Sequence, residues 1–375
     1  MAVIKVLQIF TTLNIGGAES MIMNYYRQLD KSKIQFDFLV HRPDKGAFED
    51  EIKELGGQIF RLNPISPFFP NKYYEELRSF LKNNPYQIIH SHLNTFSYFT
   101  LKIAEEFKIP TRIAHAHIAI DKVGLKDIIT QKENIKESLK KIVKFQLRKK
   151  SKVHATHLFS CGDKAGKWLF GENAEFTLMN NSINAKNFTY NAEVGNNARK
   201  ELGLENKFII GHVGRFGSQK NHAFLLKIFK SIVEKKNNSA LVLIGGGPLQ
   251  EVIKNEAKSL GILDKVQFLG VRKDIPKLMQ MFNAFIFPSF YEGLPVTLIE
   301  AQAAGIQIFA SDTITNEVEI TNNIQFLSIE ESAEYWANEV IKEEFSKTNT
   351  LDQIIDAGYD IKSNTLELEE FYLSL

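Results

Sequence analysis

The chain has 375 residues, 44% hydrophobic and 24% charged, which is the composition of a packed globular protein and excludes disordered and fibrous classes. At roughly 150 residues per domain, this length predicts two domains. The net charge of +2 hides an imbalance: residues 1–190 carry 28 Lys and Arg against 19 Asp and Glu, and the remainder carries 18 against 25. A basic half suits an anionic substrate or surface, although incidental drift gives the same count.

The single cysteine, Cys161, excludes a disulfide framework; with no ligand partner nearby it reads as a core thiol in a reducing compartment. No stretch reaches the ~20 apolar residues of a membrane span. The N-terminal run Val3–Phe10 has strand length and a lysine inside it, unlike a signal peptide.

In chain order, Val3–Phe10 predicts a buried strand, and Thr11–Glu19 its exit loop. Ala18–Leu29 predicts an amphipathic helix, so Gly16 and Gly17 stand where a helix N-terminus faces a crevice. The spacing is not the G-x-G-x-x-G of a dinucleotide fold. Strands follow at Phe36–Val40, Gln58–Leu62, Ile88–His90 and Thr111–His117, alternating with helices at Phe48–Leu55, Tyr73–Asn83 and Thr95–Phe107. Such alternation implies a parallel, doubly wound sheet with functional loops at the strand C-termini.

Two strand ends carry histidine pairs, His90–His92 and His115–His117. Strand alternation puts each pair on one face, which suits a metal or buried hydrogen-bonded rings; no carboxylate or cysteine accompanies them at ligand spacing. Residues 121–152 hold eleven Lys and Arg against four acids, with Ile128, Ile135, Leu139, Ile142 and Val143 near helical spacing. A basic amphipathic helix here would lie on an anionic bilayer or present a solvated face on an ordinary docking helix. Strands at His154–Ser160 and Phe176–Met179 flank a helix at Asp163–Phe170, and the polar loop Thr189–Asn197 marks the domain boundary.

The second half restarts the alternation. Strands are predicted at Phe208–Val213, Ala240–Ile244, Val266–Leu269, Ala284–Phe287, Gln307–Ala310 and Ile324–Leu327. Helices are predicted at His222–Glu234, Gln250–Leu260, Asp274–Met281 and Ile361–Leu373. Arg215 and Lys220 lie on the glycine-rich exit loop Gly214–Asn221, where an arginine fork and a lysine point charge suit a diphosphate. No Walker loop occurs. Phe287–Gly305 reads as strand end, turn, the loop Tyr291–Leu294, then Pro295 in the first turn of a helix closed by Gly305. A helix N-terminus beyond a strand end is an anion site. Glu292 and Glu300 flank it, and carboxylates beside phosphate make sense as acceptors for hydroxyls. Phosphate, ribose and sugar hydroxyls together describe a nucleotide sugar.

The frame F-P-S-x-x-E-G-x-P-x-x-x-x-E-A-x-A-x-G over Phe287–Gly305, and G-R-x-x-x-Q-K-N over Gly214–Asn221, resemble the retaining GT-B glycosyltransferases of family 4. The resemblance implies an α/β GT-B fold, two doubly wound Rossmann-like parallel-sheet domains facing across a cleft. Residues 1–188 would be the acceptor side, 189–357 the nucleotide-sugar domain, and 358–375 a helix returning to the first. It implies a retaining, metal-independent hexosyltransferase using a nucleotide sugar, with UDP the favoured base. The acceptor would be a saccharide carried on a lipid such as a polyprenyl diphosphate, in exopolysaccharide or capsule synthesis. Such an enzyme is expected in the cytoplasm or on the inner membrane face, without nucleic acid or cofactor.

By the same resemblance Arg215 and Lys220 hold the donor diphosphate, with Gly293 and Leu294 offering amides. Glu300 accepts from ribose, and Glu292 and His117 (His115 as fallback) position the sugar. Gly16 and Gly17 let the donor approach the backbone, and the base docks near Val271 and Arg272. Asn180–Phe188 resembles the family's N-G-I-D hinge, with Ser182 and Asn184 in place of Gly and Asp. No D-x-D triplet for a phosphate-bridging metal occurs. Two other readings share these motifs, a non-catalytic partner subunit and a nucleotide-sugar epimerase on the same fold.

Overall fold

The computed structural model describes residues 3–118, 145–342 and 346–375. They form two compact units, one made of Met1–Ser182 with Ile361–Leu375 and the other of Ile183–Asp360. The boundary expected at 188/189 falls earlier because Ile183, Ala185 and Phe188 are buried in the second core. The polar stretch Thr189–Asn197 is not a loop throughout: Ala192–Glu201 is a helix. Asn191 caps it, accepting from the Val194 N–H at 3.1 Å, and Gly195 and Ala198 bury its inner face. Its polarity is that of an amphipathic helix with a narrow apolar stripe, which composition alone reads as loop.

Unit 1 holds a seven-stranded sheet in the order β3-β2-β1-β4-β5-β6-β7. The strands are β1 Ile4–Phe10, β2 Ile34–Val40, β3 Ile59–Arg61, β4 Ile88–Ser91, β5 Thr111–Ala116, β6 His157–Ser160 and β7 Thr177–Leu178. Every pairing is parallel. Parallel strands are covered on both faces, and β1 accordingly buries Val6 through Phe10 without a break. The order reverses between β1 and β4, so their C-terminal ends open a crevice where a ligand can reach the backbone. The last helix, Ile361–Leu373, belongs to this unit, with Ile361, Leu368 and Tyr372 in its core.

Unit 2 holds a six-stranded parallel sheet in the order β10-β9-β8-β11-β12-β13. Its strands are β8 Phe208–Val213, β9 Ser239–Ile244, β10 Val266–Phe268, β11 Ala284–Phe287, β12 Gln307–Ser311 and β13 Ile324–Leu327. The reversal falls between β8 and β11. Helices Ala333–Ile341 and Leu351–Asp356 complete the unit; neither is evident from the sequence pattern. The basic stretch lies outside the described residues as far as 144. Its described end is docked on the helix Asp163–Phe170: Arg148 donates to the Trp168 carbonyl at 3.1 Å and Lys152 to that of Phe170 at 2.8 Å.

The helix Val296–Ala303 carries Glu300 and is pinned by a buried amide on its other side. Gln302 Nε2 donates to the carbonyls of Leu298 and Val318, and its Oε1 accepts from the N–H groups of Ile320 and Thr321 at 3.0 and 2.9 Å. Methionine there would strand two buried amides. Gln302→Met should therefore cost about 2–4 kcal/mol in urea unfolding, whereas a loss below about 0.5 kcal/mol would show that the helix is held by its apolar face alone.

Candidate functional site

In unit 2, the loops leaving β8 and β11 are joined by three contacts. The Phe290 N–H donates to the Gln219 carbonyl at 2.9 Å, Gln219 Nε2 donates to the Tyr291 carbonyl at 2.8 Å, and Lys220 Nζ meets Glu292 Oε1 at 2.7 Å. Lys220 also sits 4.3 Å over the Phe287 ring. The two charged side chains are only 16% and 11% exposed. Arg215, by contrast, is exposed and has no ion-pair partner among the described residues. Arg215, Lys220, Pro248, Leu249 and Tyr291 line a cavity of about 380 Å³. One cation is thus held in place by a carboxylate and a ring, and a second is left open to an anion.

The Gly214–Phe216 backbone is braced from below by a glycine triplet. Gly245 (φ +140°) and Gly247 (φ +159°) lie so close to the carbonyls of Gly214 and Phe216 that a Cβ would overlap them. Hydrogen bonds from Gly214 N–H to Ile244 (2.9 Å) and from Phe216 N–H to Gly246 (3.0 Å) close the contact. The triplet therefore sets the path of the Arg215 loop.

Pro295 stands one place earlier than expected, as the cap before the helix Val296–Ala303, and Gly305 ends it with φ +65°. Gly293 is exposed with open space where a Cβ would be, while Leu294 packs its side chain on the core and leaves only its backbone available. Glu300 keeps some surface, yet its carboxyl has no hydrogen-bond partner among the described residues, and burial pushes its pKa up to about 7. A carboxylate left so poorly solvated favours a ligand that brings hydroxyl donors. Val271, 81% exposed, and Arg272, paired with Asp274 at 2.6 Å, follow β10 and do not line the Arg215 cavity.

In unit 1 a cavity of about 300 Å³ opens at the β1/β4 reversal, lined among others by Thr11, Gly17, Glu19, His92, Asn94 and His117. Gly17 has open space at the Cβ position; Gly16 stands behind it as helix cap, its vacancy filled by the Glu19 carboxylate. Glu19 has its pKa raised by burial. His117 follows the end of β5 and lines the cavity, whereas His115 is fully buried. The sequence offered no sign of Asn94, whose left-handed backbone (φ +52°) turns its Oδ1 to accept the His117 N–H at 2.8 Å. A larger but shallow hollow of about 530 Å³ lies at the N-terminal ends of β6 and β7, away from every predicted site residue.

The four histidines gather on one sheet face. His90, His92 and His115 bring nitrogens within 4.8 Å of one another, close enough to raise the question of a metal. His90 and His92 are stacked face to face, however, 4.4 Å apart at 23°, and His90 and His115 lie edge to edge with ring nitrogens 2.9 Å apart in a hydrogen bond. Both nitrogens of His92 are also engaged, with Gln8 and His117, so the cluster uses these lone pairs within itself. The cluster is a hydrogen-bonded stack.

Because the folded pKa of Glu300 lies above its ordinary 4.5, folding favours its neutral form. Stability should fall as pH rises from about 4.5 through about 7, by about 3 kcal/mol in all. Glu300→Gln should therefore melt higher than wild type at pH 8, with the difference closing towards pH 4.5. A pH-independent difference would show that this carboxyl is well solvated.

Among known proteins, residues 195–360 match the family described as "Glycosyl transferases group 1" and residues 15–168 match "Glycosyltransferase Family 4". The chain is 37% identical to the protein EpsF of Bacillus subtilis over 98% of its own length and 96% of that protein's. It is 26% identical to the capsular polysaccharide biosynthesis glycosyltransferase CapH of Staphylococcus aureus, covering 99% of each. Identity is 23% to an Escherichia coli UDP-Gal:α-D-GlcNAc-diphosphoundecaprenol α-1,3-galactosyltransferase, over 96% of this chain and 94% of that one. The Anabaena protein Alr3699/HepE, solved in complex with UDP, superposes with a TM-score of 0.75 at 17% identity, each chain fully covered. The chain therefore belongs to the group 1, family 4 glycosyltransferases, and its two parallel-sheet units have the GT-B fold.

Proposed function

We propose that this glycosyltransferase moves a hexose from a UDP-sugar to a lipid-linked saccharide acceptor, with retention at the anomeric carbon, in surface polysaccharide synthesis. The observation that carries the donor reading is the exposed Arg215 beside Lys220, on a loop tied to the Glu292–Pro295 turn. The UDP bound to HepE favours uridine, the E. coli relative's diphosphoundecaprenol substrate favours a lipid-linked acceptor, and CapH favours a polysaccharide product. In this reading the C–O bond to the diphosphate breaks and the acceptor oxygen bonds the same face of the sugar. The acceptor proton passes to the departing phosphate oxygen. Arg215, Lys220 and the amides of Gly293 and Leu294 meet the growing negative charge, without a metal. Glu300 accepts from ribose hydroxyls. Glu292, with one oxygen already on Lys220, and His117 position the sugar; Gly16 and Gly17 leave room for the donor, and Val271 and Arg272 flank the base. The single cysteine suits a reducing cytoplasm. Among the described residues no helix is long and apolar enough to cross a membrane, and attachment to its inner face would fall to the basic stretch.

Incubation with UDP-, GDP- and ADP-sugars, with product analysis by mass, tests the proposal. Arg215→Ala should lower turnover on the order of 10²-fold or more, and Glu300→Ala should weaken donor binding. Full activity in both variants would remove the site assignment. Binding without turnover until a second protein is added would mark a partner subunit, and an altered sugar nucleotide formed without acceptor would mark an epimerase.

A further inference from the structure

The histidine stack contains a directed chain of hydrogen bonds that ends in the unit 1 cavity. Strand register sets it up: Gln8 on β1 pairs with His90 on β4, so Gln8, His90 and His92 share a face, as do His115 and His117 one strand further on. His92 Nε2 lies 2.7 Å from Gln8 Oε1, and His92 Nδ1 lies 2.8 Å from His117 Nε2. An amide oxygen only accepts, so His92 must carry its hydrogen on Nε2. Burial keeps His92 neutral, its pKa well below the ordinary value, and pushes that of His117 down to about 3. A neutral ring has one N–H; His92 Nδ1 is then a bare acceptor, and the hydrogen between the two rings belongs to His117 Nε2. His117 Nδ1 is left with a lone pair.

The sense of the chain rests on the Gln8 amide, whose oxygen faces His92 Nε2 while its nitrogen is buried without a hydrogen-bond partner among the described residues. The Tyr372 hydroxyl lies 2.8 Å from His90 Nδ1 instead. The rings are held against rotation: His92 stacks on Phe10 at 4.3 Å and 9°, His117 stacks on His115 at 4.1 Å and 16°, and Asn94 fixes the His117 backbone. His117 Nδ1 has no partner among the described residues and is not among the buried unpaired atoms, and its ring lines the cavity with Gly17 and Glu19.

We propose that Gln8 and His92 are positioning residues that lock His117 as its Nε2–H tautomer, so that its Nδ1 accepts a hydrogen bond from a sugar hydroxyl bound in this cavity. The identity of the ligand rests on the transferase reading; the tautomer does not. A ring fixed in this way has no proton for a phosphate oxygen, so it selects hydroxyl donors and turns anionic groups away from this side.

Full-length protein labelled with ¹⁵N-histidine tests it by long-range ¹H–¹⁵N correlation spectra, His117 being assigned by the signals lost in His117→Gln. In wild type, His117 Nδ1 should show the unprotonated shift and Nε2 the protonated one from pH 6 to 8. Gln8→Met, matched in volume, should mix or reverse the tautomers of His117 and lower kcat/KM about tenfold; Gln8→Leu is the second variant. A protonated Nδ1 in wild type overturns the proposal, as does an unchanged His117 tautomer in either folded Gln8 variant. The expected spectra without turnover on any nucleotide sugar would count against the transferase reading and leave the tautomer standing.

Discussion

The arrangement of the unit 2 loops depends on one ion pair, Lys220 with Glu292, set between two loops that leave neighbouring parallel strands. A lysine this enclosed would lose several kcal/mol to desolvation without a counter-charge, and removing one partner of such a pair typically costs about 3–5 kcal/mol. The pair is therefore poor evidence of extra stability and good evidence of placement. It holds the ammonium against the Phe287 ring and keeps the Tyr291–Leu294 turn in register with Gln219. Arg215, five residues earlier on the same loop, is exposed and has no ion-pair partner among the described residues.

The two units carry different chemistry. Unit 2 gathers Arg215 and Lys220 on one cavity, and elsewhere in the unit burial leaves the Glu300 carboxyl half-neutral near pH 7. Unit 1, although richer in basic residues overall, lines its cavity with uncharged rings, small residues and one enclosed glutamate. Cations line the unit 2 cavity, and histidine rings, small residues and Glu19 line the unit 1 cavity. Both crevices arise from the same topological event, a reversal of strand order that leaves the C-terminal ends of two adjacent strands without a connecting helix over them.

Much of this was legible in the sequence because it is local. Strand edges such as Ala284–Phe287, the helix-ending Gly305 and the loop cations Arg215 and Lys220 are set by residues a few positions apart. What escaped was set across the sheet. Gln8 looks like a stray polar residue in an apolar strand until register brings His90 and His92 beside it. The lack of a side chain at Gly245 and Gly247 serves the neighbouring Gly214–Phe216 backbone, which no local pattern shows. Thr189–Asn197 reads as a polar loop because so little of the helix that begins there is apolar, and the carbonyl of Gln280 against Gly195 shows how tightly its small inner face is used.

The path of the chain has one more effect. Unit 2 begins at Ile183 and ends at Asp360, and these two residues form a β-bridge, so the segment enters and leaves at a single point. It is a nested insertion, and the helix Ile361–Leu373 that follows it completes the hydrophobic interior of a body started more than a hundred residues before. During synthesis, then, the first unit must wait for its own last piece until the second has been made in full, and trimming the C-terminus would injure the unit that comes first in the chain.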